Sequence, residues 1–368
     1  MLSVSGEPDR PRLDSLTSLR FFAAVGVVAV HVEGTFPTVG AVGGAAELGY
    51  TGVSFFFALS GFVLTWSARP VDSRWDFYAR RFARIWPAHA VVTLAAIVVA
   101  YVAGVRPVWA ALPLVLLLVH VWAPPPSWHY AFNGPSWSLS AEAFFYALFP
   151  FLIGAAAWPA ARLRRAAALV VAALVIGALA VVAVVPDTAW GFLLYLNPAY
   201  RIGEFMLGMG LAVAIRRGWR PHWPIAVPVA AVVVVYAAVA WLAPRDSEGQ
   251  IPRVLADSAL LPAFLALIAV AAGADLDRRR TLLRCRPLVW LGERSFALYL
   301  VHASVIKLLA AALGGGRPLS PGRWPALAAG VLAVSVAVAS LLFAVVERPA
   351  ERWLRRRLTR SGRKAPVR

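Results

Sequence analysis

The chain is a succession of apolar runs, each about as long as a bilayer is thick, separated by short polar punctuation. The runs fall at 17–35, 50–68, 84–104, 107–123, 137–157, 166–185, 198–215, 224–243, 254–273, 288–312 and 324–346. About 20 residues with few or no charges suffice to cross a hydrocarbon core as a helix, so the pattern predicts an all-α integral membrane protein. One run stands apart. Residues 107–123 open with Pro107, contain Pro113 and His120, and pass directly into APPPSWHYAFNGPS.

Charge decides how that run is treated. The formal net charge is +18, from 36 Lys+Arg against 18 Asp+Glu. In a soluble chain such an excess points to nucleic acid. Here the arginines gather between apolar runs, at Arg69/Arg74/Arg80/Arg81/Arg84, Arg162/Arg164/Arg165, Arg216/Arg217/Arg220, Arg278/Arg279/Arg280/Arg284/Arg286 and Arg352/Arg355/Arg356/Arg357. That is the pattern of cytoplasmic loops. With every run crossing and the N-terminus inside, Arg162, Arg164 and Arg165 would fall outside. Removing 107–123 from the crossings returns every dense cluster to one side.

The expected architecture is therefore ten transmembrane helices with both termini cytoplasmic. Residues 105–136 form a re-entrant or interfacial external segment between helices 3 and 4, a backbone tolerated only where protein or a water-filled cavity surrounds it. Residues 1–346 form one domain, and 347–368 a basic cytoplasmic tail. The external loops hold only scattered charges, among them Arg245, Asp246 and Glu248. A single cysteine, Cys285, excludes an intramolecular disulfide and a cysteine-based metal site, and no residue set points to a metal. The opening MLSVSGEPDRPRLD is polar and carries acids, unlike a signal peptide.

Ionisable groups inside spans are costly and mark functional sites by default. Arg20 and His31 lie on helix 1, about 16 Å apart along the axis at 1.5 Å per residue. Eleven positions is about three turns, so both project from roughly one face. On helix 4, Glu142 falls about one turn in, at a depth expected to match His31, with Ser138 and Tyr146 on its face. A carboxylate there could orient the imidazole and raise its basicity. Arg80, Arg81 and Arg84 enter helix 3 at the inner face, where Arg20 also lies, and guanidinium forks suit phosphate oxygens. Arg201 and Glu204 in YRIGEF, and Tyr299 and His302 in LGERSFALYLVH, are further candidates for binding substrate. An anion held at the inner face could extend a slim arm toward His31, and coenzyme A has that shape.

Each of these residues also has a plainer explanation. His31 could hydrate at a helix end, Arg20 could snorkel to headgroups, Glu142 could favour a helix N-terminus, and the Arg80 group could serve topology alone.

The motifs in chain order are Arg-x10-His (Arg20 to His31), FFALSGFVLT (Phe56 to Thr65), YARRFARIWP (Tyr78 to Pro87), PSWSLSAEAFFY (Pro135 to Tyr146), RIGEFMLGM (Arg201 to Met209), LGERSFALYLVH (Leu291 to His302) and VERP (Val346 to Pro349). In this order and at these spacings the chain resembles the membrane-bound acyltransferase-3 proteins. The resemblance implies an O-acyltransferase that moves an acyl group, often acetyl, from acyl-CoA to a hydroxyl of a sugar in a cell-surface glycan or a glycosylated natural product. It implies that His31 is the essential histidine with Arg20 its companion, that Arg81 and Arg84 serve the donor, and that Glu142 lies in the catalytic cavity. It implies a bacterial inner membrane, acyl-CoA as co-substrate with no permanently bound cofactor, and a form without a fused esterase-like domain. The start LDSLTSLRFF departs from the commoner form of helix 1 and is closer to variants that acylate sugars on macrolide-type metabolites.

His31 would act as general base with Glu142 as its orienting acid, or carry the acyl group itself, and the sequence leaves both routes open. The expected partners are acyl-CoA, a carbohydrate or glycosylated acceptor and membrane lipids, with no nucleic acid. A secondary transporter or flippase for a glycan or lipid-linked sugar is the alternative. Transporters commonly show repeated halves, and no convincing internal repeat is visible here.

Overall fold

The computed structural model describes residues 10–69, 73–123, 125–242 and 253–359. Arg245, Asp246 and Glu248, and the tail beyond Thr359, lie outside the described residues. The first half contains α1 (Asp14–Thr35), α2 (Ala41–Glu47), α3 (Gly52–Ser67), α4 (Arg74–Val102), α5 (Leu112–Leu116), α6 (Pro126–His129), α7 (Trp137–Leu152) and α8 (Ala160–Val184). The second contains α9 (Pro198–Arg216), α10 (Ala226–Leu242), α11 (Arg253–Leu276), α12 (Arg286–Glu293), α13 (Ser295–Leu313), α14 (Trp324–Leu342) and α15 (Arg348–Leu358).

Eight helical stretches among the described residues are long and apolar enough to cross a membrane, and each coincides with an expected crossing. The remaining two expected crossings are also helices. α9 has 19 residues and carries Arg201 and Glu204, and α10 has 17. The protein is thus a multi-pass helical membrane protein. α8 buries none of its residues inside the bundle, and Leu169, Ile176 and Leu179 on it are exposed. Such an apolar outer surface is suited to lipid.

Three boundaries differ from expectation. The third crossing begins at Arg74 rather than 84, because Ser73 caps it. Its Oγ accepts from the Asp76 backbone N–H at 3.0 Å. Arg80, Arg81 and Arg84 therefore stand on the helix, not in a loop before it. The run 288–312 breaks at Arg294 into the short α12 and the longer α13. Beyond 346 the chain does not trail away, since Arg348–Leu358 is the helix α15 and packs on α4.

Among the described residues, 105–123 and 125–136 hold only short helical turns, and neighbouring helices meet their carbonyls. His89 Nε2 donates to Val115 O at 2.8 Å, and Trp86 Nε1 to Leu116 O at 3.1 Å. Asn133 Nδ2 returns the favour to α13, donating to Leu300 O at 3.0 Å.

Helices α3 and α9 pack backbone to backbone. A Cβ at Gly61 would overlap the Phe205 carbonyl, and one at Gly208 the Ala58 carbonyl. Small residues let two backbones meet this way where lipid supplies no hydrophobic drive. Gly61→Ala should therefore destabilise the bundle by about 1–3 kcal/mol, as overpacking does, read as a lower melting temperature in detergent. An unchanged melt would mean the two helices can part.

Candidate active site

A cavity of about 150 Å³ opens between α1, α3, α4, α7 and α13. One wall is α3, from Val53 to Leu64, a rise of about 16 Å at 1.5 Å per residue. Its polar lining comes from Arg20 on α1, Ser60 on α3, Arg81 and Arg84 on α4, Ser138, Glu142 and Tyr146 on α7, and Ser295 and Tyr299 on α13. The three α7 residues recur every fourth position and so stand in a row on one helix face. Arg80 is not part of the lining.

Glu142 is held by hydroxyls. Ser60 Oγ donates to its Oε1 at 2.8 Å, and the Tyr146 hydroxyl donates to the same oxygen. Its charge also acts on Arg20 and Arg81, but among the described residues neither guanidinium forms an ion pair with it. The Nε of Arg81 is buried without a hydrogen-bond partner. Arg84 differs: it pairs with Glu347, whose side chain is fully buried, and reaches Glu351 at 3.2 Å. The VERP glutamate thus neutralises Arg84 and ties α15 to the cavity wall. Of the three lining cations, Arg20 and Arg81 keep the more available charge.

His31 and His302 form a second centre beside the cavity. Their rings meet edge-on with centroids 4.9 Å apart. His31 Nδ1 lies 2.7 Å from the Val27 carbonyl. A carbonyl only accepts, so Nδ1 carries a proton. His302 repeats the arrangement with the Leu298 carbonyl at 3.2 Å, and its Nε2 is buried without a partner. Tyr299 joins this centre to the cavity. Its ring lies 5.7 Å from that of His302, and its hydroxyl is 2.7 Å from Ser138 Oγ.

The expected pairing of Glu142 with His31 therefore takes a different form. The carboxylate bonds to Ser60 and Tyr146 in the field of Arg20, and a carbonyl of α1 itself fixes the tautomer of His31. Position along a helix gave an approximate depth but not the neighbour that each side chain meets.

Arg201 and Glu204 do not line the cavity but brace it. Arg201 is fully buried, with Nη1 2.6 Å from Asp257 and 3.0 Å from Glu204, and Nη2 donating to Ser54 Oγ at 2.9 Å. Ser54 in turn donates to Asp257 at 2.6 Å. The guanidinium also lies 5.3 Å from the ring centres of Phe57 and Tyr195, and Phe57 is a cavity wall residue. Sequence reasoning passed over Ser60, Asp257 and Glu347. Ser60 and Asp257 were detectable as polar residues inside apolar runs, and Glu347 as the acid of VERP.

A cation-bearing cavity inside a multi-pass helical bundle belongs to a membrane-embedded transferase or a transporter. Comparison with known proteins distinguishes them. The acyltransferase-3 profile, described as an acyltransferase domain, matches residues 13–343. The chain belongs to the acyltransferase-3 family, and it is an acyltransferase. It is 40% identical over 378 aligned residues to the acyltransferase MdmB of Streptomyces mycarofaciens, covering 94% of this chain and 93% of that protein. It is 25% identical to the peptidoglycan O-acetyltransferase OatA of Listeria monocytogenes, covering 92% of this chain and 56% of OatA. No solved structure matches.

The two cavity-facing arginines of α4 should respond differently to truncation. Arg84→Ala strands the buried Glu347 and should cost on the order of 3 kcal/mol, as breaking a buried pair does. Arg81→Ala strands no paired acid and should melt near the wild-type temperature. Equal melting temperatures for the two variants would show that the Glu347 pair does not hold α15 in place.

Proposed function

We propose that this acyltransferase is an enzyme of the bacterial inner membrane, both termini cytoplasmic, that moves an acyl group, chiefly acetyl, from acyl-CoA to a sugar hydroxyl. The acceptor is a cell-surface glycan or a glycosylated small molecule. One observation carries the reading: one cavity has two available guanidiniums, Arg20 and Arg81, and is lined by Tyr299, whose ring lies beside His302 of the His31–His302 pair. The cations would take the phosphates of the donor, and the cavity would receive its arm. The relative named as a peptidoglycan O-acetyltransferase supports an oxygen acceptor on a sugar. The dense arginine clusters support the inner-face placement of the donor.

In this mechanism His31 Nε2 takes the proton of the acceptor hydroxyl as its oxygen attacks the thioester carbonyl. The C–O bond forms, the C–S bond breaks, and the imidazolium returns the proton to the departing thiolate. Val27 stabilises the imidazolium through its bond to Nδ1–H, and the Glu142 carboxylate favours the same charge. Arg80 adds to the positive field at the donor end, and Ser138, Tyr146, Tyr299 and His302 complete the wall that the acyl end and acceptor meet. An acyl group carried on His31 itself is the alternative route, with ping-pong kinetics as its fingerprint.

A ligand that binds only the folded form raises the melting temperature as its concentration passes the dissociation constant. Acetyl-CoA should do so for the purified protein, and Arg81→Ala should lose the effect. His31→Ala should keep that response and lower transfer by about a hundredfold or more, the contribution of a positioned base. A flat response to acetyl-CoA and to longer acyl-CoAs would turn the assignment toward transport. Full transfer by His31→Ala would remove the base.

A further inference from the structure

Glu142 poses an electrostatic problem. A carboxylate in a cavity with two available guanidiniums would gain most by closing onto one of them, since opposite charges attract strongly where water is scarce. It has not done so. Among the described residues neither Arg20 nor Arg81 forms an ion pair with it, and Arg81 Nε has no hydrogen-bond partner. Instead two hydroxyls from different helices, Ser60 on α3 and Tyr146 on α7, both donate to Oε1. Hydrogen bonds to an ionised acceptor are among the stronger neutral-donor bonds, and two on one oxygen fix the side chain's direction.

We infer that Ser60 and Tyr146 are positioning residues that clamp Glu142 away from Arg20 and Arg81, so that both guanidiniums stay available to the diphosphate of the incoming acyl-CoA. The inference rests on the donor reading above and deepens it. Were Glu142 to swing onto Arg81, an arriving phosphate would have to break a buried ion pair before binding, and its affinity would fall by that cost. The clamp gives the acid a place in the cavity without neutralising the cations beside it. Ser60 thereby has a role in binding the donor although it need not touch the donor at all.

The idea separates from a simple packing role by a suppressor test. Acetyl-CoA affinity is measured by thermal shift on the full-length protein in detergent, for wild type, Ser60→Ala, Glu142→Gln and the double variant. Loss of one hydroxyl bond to the carboxylate should weaken binding by about tenfold. Glu142→Gln, which removes the competing charge, should bind at least as well as wild type. The double variant should return to that level, because an uncharged side chain has no reason to seek Arg81. If Ser60→Ala does not fold, Tyr146→Phe and its double with Glu142→Gln make the same comparison by removing a single oxygen.

Wild-type affinity in both Ser60→Ala and Tyr146→Phe, with acetyl-CoA still bound by wild type, would overturn the clamp and leave the donor site standing. A double variant as weak as Ser60→Ala would also overturn it, since the fault would then lie in packing rather than charge. Failure of wild type itself to bind acetyl-CoA would bring down the donor reading and the clamp together.

Discussion

A guanidinium at the centre of a bilayer costs about 2.5–3.5 kcal/mol on insertion scales, unless a partner or a wet cavity relieves it. That constraint organises the interior of this bundle. Arg201 is fully buried and meets two acids, a hydroxyl and two aromatic faces. Arg84 meets the buried Glu347 and its neighbour Glu351. Arg20 and Arg81 are relieved differently, by facing the cavity. The same residue type thus braces the fold, docks a helix and lines the cavity.

The bracing and docking pairs shape the cavity as much as its lining does. Arg201 joins α9 to Asp257 of α11 and to Ser54 of α3, while its flat face supports Phe57. Glu347 joins the end of the last long helix to Arg84 on α4. The α3 and α4 walls are therefore both fixed by charge, α3 from outside the cavity lining and α4 through the lining residue Arg84. Rigid walls matter for a transfer site, because orientation of the reacting groups supplies much of the rate.

Much of this was legible in the residue pattern. Apolar runs located the long helices, and the prolines of 107–123 go with short helical turns there rather than one long helix. The four-residue recurrence of Ser138, Glu142 and Tyr146 placed them on one face, which the cavity uses. Illegible were the partners brought from far along the chain. Asp257 lies 56 residues from Arg201, and Glu347 lies 263 residues from Arg84. A single chain pattern records depth within a helix but not its azimuth or tilt, so Glu142 could be assigned a level without its hydrogen-bond donors Ser60 and Tyr146 being named. Helix ends set by caps or breaks, such as Ser73 and Arg294, shift by a few residues for the same local reason.

The separation between the cationic cavity and the histidine pair has a chemical consequence. Phosphate binding calls for uncompensated positive charge, whereas a general base must keep its lone pair and so must not be protonated by its surroundings. Cations beside an imidazole favour the neutral form, and a carboxylate beside it favours the charged one. Glu142 is held by Ser60 and Tyr146, and His31 has the neutral Val27 carbonyl as its partner, so the acid and the imidazole are oriented separately. In the serine hydrolases an acid orients the histidine directly. Here the acid stands among cations, and the backbone of α1 performs the orienting step.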